Sequence, residues 1–177
     1  MAGGKQGKKK RISTRTIAMM ALMIALALVF SYVEALIPIN FGVPGIKLGL
    51  ANLAIVAALY LMGAKYALVI SVARIILSGF LFGNMASIIY SLAGGLLSLG
   101  VMVLLKRTKK LSIVPVSVCG GIFHNIGQLI VAMLVVENAS LVFYLPALLI
   151  AGFLTGLLIG IVSQAVLPRI MKAYRAG

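Results

Sequence analysis

Residues 16–36 read TIAMMALMIALALVFSYVEAL, a run in which Glu34 is the only charged side chain. A helix needs about 20 apolar residues to cross a hydrocarbon core of ~30 Å, and this stretch supplies them without a break. Before it stands MAGGKQGKKKRISTR, residues 1–15, with six basic residues, several Gly and no apolar run. A cleavable signal sequence is the alternative reading. The apolar run is long for such a segment, however, and no small-x-small cleavage site follows it. Residues 16–36 therefore read as an uncleaved first span. Residues 1–15 read as a basic, disordered cytoplasmic tail, where each basic residue adds ~1 kcal/mol of attraction to anionic headgroups.

The rest of the chain has the same character. Of 177 residues, 63% are hydrophobic and 10% charged, and the mean hydropathy is +1.19. Soluble domains hold about 45–50% apolar residues, so a water-soluble fold is excluded and an all-α integral membrane protein is expected. Five further apolar segments lie near 48–63, 66–82, 85–105, 113–136 and 142–167. Pro38 to Gly45, Gly63 and Gly83-Asn84 punctuate them. The second and third are short for a crossing, and a count of four or five spans with 48–82 as a helical hairpin is the runner-up. No long internal repeat supports an inverted-repeat transporter.

Charge placement favours six spans. With the N-terminus inside, fourteen basic residues fall on the cytoplasmic side, from the N-terminal tail, Lys65, Lys106, Arg107, Lys109, Lys110 and the C-terminal Arg169, Lys172 and Arg175. Lys47 alone falls outside, which is the asymmetry of the positive-inside rule. The expected layout is a six-transmembrane-helix bundle at 16–168 with both termini cytoplasmic and a short basic tail at 169–177. The net charge of +14 thus belongs to a membrane surface, and no nucleic-acid partner is expected.

Composition also limits the chemistry. Two acids, Glu34 and Glu137, with no Asp, cannot build an Asp-rich Mg²⁺–diphosphate site. One Cys (Cys119) and one His (His124) cannot close a zinc site, and one Cys leaves the redox compartment unreadable. No phosphate-cradling G-x-x-x-x-G-K-[ST] occurs, so ATP hydrolysis needs another subunit. No metal, no cofactor and no catalytic residue is expected.

The candidate site residues are the polar side chains inside apolar segments. Arg74 lies midway along the third, and a guanidinium at that depth needs a cavity, a partner or a ligand. Its structural alternatives are a pair with Glu34 or Glu137, or snorkelling to the interface. His124 and Gln128 stand one turn apart on the fifth segment, with Asn125 beside them. They suggest an interior pocket; an interhelical hydrogen-bond clamp is the alternative, and a lone His without a membrane carboxylate is a poor proton relay. Lys47, Asn52 and Arg74 suggest a cationic site for phosphate or carboxylate, against the reading of Lys47 as an interfacial anchor. Asn84, with Ser87, Tyr90 and Ser91, opens the fourth segment towards the same cavity.

Small residues mark helix contacts. Ala18, Ala21 and Ala25 form a stripe on the first segment, where packing within the bundle and docking of a partner's helices are both open readings. Gly152, Gly156 and Gly160 form one on the last, where packing within the bundle is the favoured reading.

Glu34 through Pro38, then Pro44-Gly45-Ile46-Lys47-Leu48-Gly49-Leu50-Ala51-Asn52 and Leu61-Met62-Gly63, resemble the Gx transporter family. That family is also labelled heptaprenyl diphosphate synthase component I. The likeness extends past residue 12 over nearly all of the chain, through Arg74 and Gly121 to Gln128. The resemblance implies kinship with S components of energy-coupling factor (ECF) transporters, six-helix proteins that capture vitamins from outside. It implies that Ala18, Ala21 and Ala25 meet a transmembrane T subunit, that ATPase subunits supply the energy, and that the capture site lies under residues 37–47. The ligand is expected to be anionic or amphipathic, related to a vitamin, flavin, quinone or isoprenoid. The alternatives are a non-transporting membrane scaffold of a quinone, prenyl-lipid or redox assembly, and an accessory enzyme subunit. The expected location is the cell membrane, in bacteria the cytoplasmic membrane.

Overall fold

The computed structural model describes residues 12–36 and 49–176, with side chains described as far as residue 172. Six α-helices account for nearly all of them: α1 (Thr14–Leu36), α2 (Asn52–Leu61), α3 (Ala64–Phe82), α4 (Met85–Arg107), α5 (Ile113–Val136) and α6 (Leu145–Ala176). A 3₁₀ segment, Ala139–Tyr144, leads into α6. The expected turn at Pro38 to Gly45, and Lys47, lie outside the described residues.

Five of these helices are long and apolar enough to cross a membrane. The exception is α2, whose ten residues rise about 15 Å, half a hydrocarbon core. The third segment is longer than the sequence suggested, because α3 starts at Ala64 and holds 19 residues. Residues 169–176 continue α6 instead of leaving it.

Helix boundaries follow local chemistry. Asn84 caps α4, accepting from the Ser87 N–H at 2.8 Å while Ser87 Oγ accepts from the Asn84 N–H at 3.0 Å. This reciprocal box satisfies two donors that a helix start otherwise leaves open. Gly63 joins α2 to α3 at φ +96°, a conformation that a Cβ disfavours. Pro115 sits in the first turn of α5, where its missing N–H removes no intrahelical bond.

The bundle turns its large apolar side chains outward. Phe80, Leu104, Leu134 and Leu158 are exposed, whereas Ser and Gly fill helix contacts inside. Gly121 packs on the Gly152 carbonyl, and a Cβ at Gly156 or Gly160 would stand 2.8 Å from Ser117 O or Val114 Cα. The Gly stripe of α6 is thus internal packing against an antiparallel α5. The Ala stripe is the reverse: Ala18, Ala21 and Ala25 are all exposed on the outer face of α1.

Topology gathers the basic side chains. Tyr32 of α1 meets Phe82 at the end of α3, ring centroids 5.1 Å apart, so α1 and α3 run parallel. At the other end of the bundle, Lys106 Nζ donates to the Leu59 carbonyl at the close of α2, 2.5 Å away. The start of α1, the α2–α3 turn with Lys65, the α4–α5 turn and the C-terminal part of α6 share this basic end.

Two apolar cores flank a polar band. Met23, Ile55, Leu59, Ile70, Leu99 and Met102 belong to the core nearer the basic end. Tyr90, Leu129, Ala132 and Leu148 form the other. Along α3, α4 and α5 the polar residues Arg74, Ser91, His124 and Gln128 fall between or beside these sets, all buried.

Close packing at one glycine and open space at another give a direct test. Gly121→Ala is expected to lower the unfolding free energy in detergent by about 2 kcal/mol through overpacking. Gly100, where a Cβ meets nothing within 4 Å, should tolerate Ala or gain up to about 1 kcal/mol in helix propensity. Equal effects at the two positions would refute this packing.

Candidate functional site: a buried polar band at mid-bundle

Arg74 is the eleventh residue of α3 and only 4% exposed. Its Nη2 donates to Asn52 Oδ1 at 3.4 Å, and its Nε has no partner among the described residues. Because α2 is short, its N-terminal Asn52 reaches the depth of Arg74 rather than the membrane surface. The turn before α2 closes on itself, the Asn52 N–H donating to the Gly49 carbonyl at 2.8 Å and the Leu53 N–H to the Leu50 carbonyl at 3.0 Å, so the helix starts beside the guanidinium with its positive dipole end at that depth.

Glu34 supplies the counter-charge. Its carboxylate accepts the Gly49 N–H, just before α2, and it interacts electrostatically with Arg74. Gly49 adopts φ +87°, and a Cβ there would lie 3.0 Å from Asn52 Nδ2 and 3.6 Å from His124 Cδ2. Backbone freedom and close approach both select Gly at this position. Glu34, Gly49, Asn52, Arg74 and His124 thus converge from α1, the α2 entry, α3 and α5.

On the other side, Gly94-Gly95 of α4 lets neighbouring helices close in. A Cβ at Gly94 would stand 2.7 Å from Gln128 Cγ and 3.2 Å from His124 Nδ1; at Gly95 it would stand 3.4 Å from Ser71 Oγ. Gln128 is fully buried, and neither its Nε2 nor its Oε1 has a partner among the described residues. His124 Nδ1 lies against the Gly94 backbone. In a low-dielectric interior, unmade hydrogen bonds cost about 1–3 kcal/mol each. Several in one band mark a place where a polar guest or water gains most.

The structure brings Asn52, Arg74, His124 and Gln128 into this band. Asn125 points elsewhere: its Nδ2 donates to the Leu148 carbonyl at 2.7 Å, clamping α5 to α6, while its Oδ1 has no partner among the described residues. Asn84 is an exposed helix cap remote from the band. Lys47 lies outside the described residues. Glu137 caps the end of α5 with φ +53°, leaving Glu34 as the acid of the band. Sequence reading missed Gly49, Gly94 and Gly95. The adjacent glycines in mid-segment, where helix propensity disfavours them, were the available signal.

The two amides should respond in opposite ways. Asn125→Leu is expected to cost about 1 kcal/mol, since it strips the Leu148 carbonyl of its donor. Gln128→Leu removes an amide with no partner and should leave the ligand-free protein unchanged or more stable. Thermal unfolding in detergent measures both, and a large loss for Gln128→Leu would show that the amide is engaged in the fold.

No curated protein and no solved structure matches the chain. A sequence profile does, over residues 23–166, a span that includes every member of the band. The chain belongs to the family described as heptaprenyl diphosphate synthase component I.

Proposed function

We propose that this protein is the substrate-capturing subunit of a membrane uptake system, working in the manner of an ECF S component. In this reading the chain makes six crossings, that of α2 included. The basic end faces the cytoplasm, with both termini there and the domain limits read from the sequence. The asymmetric charge of the two bundle ends supports that orientation.

The observation that carries the proposal is the set of buried polar atoms at Arg74 and Gln128 without partners among the described residues, beside the start of a half-length helix. Half-helix N-termini at mid-membrane suit anionic groups. Arg74 and the α2 N-terminus would hold a carboxylate or phosphate oxygen, with Asn52 steering the guanidinium. Gln128 offers a donor and an acceptor from one amide, which suits a polar ring edge such as a cyclic amide. An amphipathic small molecule of the vitamin, flavin, quinone or isoprenoid kind satisfies both demands. Lys47, which precedes α2 in the sequence, would add a second positive charge.

The family's name describes a component, which supports a subunit of a larger assembly. The exposed Ala18, Ala21 and Ala25 face offers a smooth surface for a T subunit's helices. ATPase subunits would drive release inward, since this sequence carries no nucleotide-binding loop.

Mass spectrometry of small molecules released from the purified protein tests the capture role. The wild type should carry a specific polar compound, reduced at least about tenfold in Gln128→Leu and Arg74→Ala. If wild type and a folded Gln128→Leu protein release the same compounds in the same amounts, the band is not the capture site.

A further inference from the structure

Away from the polar band, α3 and α4 enclose a groove of about 430 Å³ lined by Ala64, Leu68, Leu96, Leu99, Gly100 and Val103, with Leu104 at its rim. Its lining is almost wholly apolar. At the basic end it meets a second recess of about 210 Å³ lined by Leu59, Ala64, Val103, Lys106 and Arg107. Ala64 and Val103 line both, so a chain-shaped apolar slot runs into a cationic mouth.

Gly100 keeps the slot open. It stands inside α4, where Gly costs about 1 kcal/mol relative to Ala, yet no neighbour needs its missing side chain: a Cβ meets nothing within 4 Å. This contrasts with Gly94, Gly121 and Gly156, each pressed against a neighbouring helix. At the mouth, Lys106 Nζ is held in place by the Leu59 carbonyl at 2.5 Å and lies 4.6 Å above the Tyr60 ring. An ammonium has three donors, so one bond to Leu59 leaves others for a ligand. Arg107, Lys65, Lys109 and Lys110 are exposed around it.

We propose that this slot is a specific site for an anionic phospholipid of the bilayer, one acyl chain lying in the α3–α4 groove and the phosphate on Lys106 and Arg107. Charge complementarity selects the occupant. A partner's transmembrane helix would bring apolar surface but nothing for the fixed ammonium, whereas a lipid phosphate sits at the depth where α4 ends. Basic recesses between helices at a membrane face bind lipid headgroups by this means. An occupied site would also brace α2, because Lys106 holds its last turn.

Native mass spectrometry of the delipidated full chain, titrated with phosphatidylglycerol or phosphatidylcholine of equal chain length, tests this. The wild type should retain one phosphatidylglycerol at least about fivefold more tightly than phosphatidylcholine, roughly the factor that one basic residue contributes at an anionic surface. Arg107→Gln, an exposed position that should leave the fold intact, should reduce that preference. Gly100→Phe should fill the groove and weaken phosphatidylglycerol retention about tenfold, with thermal stability in lipid-free detergent near wild type. Equal retention of the two lipids by the wild type overturns the proposal, whatever the variants do; so does undiminished retention by Gly100→Phe. A groove occupied by a partner helix would give the first of these outcomes.

Discussion

A guanidinium buried at the middle of a membrane bundle constrains everything around it. Insertion scales place the cost of a central Arg at ~2.5–3.5 kcal/mol, which neighbouring groups must offset. Here the offset comes from three directions: Asn52 Oδ1, the charge of Glu34, and a band of small and polar residues that admits both. Each contribution fixes part of the architecture. Asn52 reaches Arg74 only because α2 is half-length. Glu34 is tied to the α2 entry through the Gly49 N–H. Close approach of α4 requires Gly94 and Gly95.

The same constraint explains why the band is under-satisfied. Arg74 uses one donor on Asn52, and Gln128 and Arg74 Nε present groups that meet no partner among the described residues. A fold selected for stability alone would close such a band with apolar side chains. Binding sites keep preformed polar groups and accept the loss.

Much of the architecture was legible because the bilayer simplifies the reading. Long apolar runs located α1, α3, α4 and α5 to within two residues, while α6 runs nine residues past the apolar segment read for it, and the basic residues gather at one end of the bundle. Four-residue spacing marked both small-residue stripes without separating them; the structure packs the α6 glycines on α5 and leaves the α1 alanines facing outward. Arg74, His124 and Gln128 stood out because polar residues in apolar runs are few. The shortness of α2 was less legible, since apolar composition does not show where a helix begins. Asn125 and Asn84 were harder still. A side-chain amide looks the same in sequence whether it caps a helix, clamps a neighbour or lines a pocket, and only three-dimensional neighbours separate these roles. Gly49 was unremarkable until its positive φ and its contacts with Asn52 and His124 were seen.

The central claim is that Arg74 and Glu34 form one electrostatic unit that holds the band together. A double-mutant cycle tests it most directly. Arg74→Ala, Glu34→Ala and the double variant are unfolded thermally in the same detergent, free of small molecules. Removing one charge leaves the other buried without its counterpart, so each single change should be costly, while the double change should cost less than their sum by at least about 1 kcal/mol. Strictly additive losses would contradict the account and would mean that Arg74 is held in the membrane by something other than Glu34.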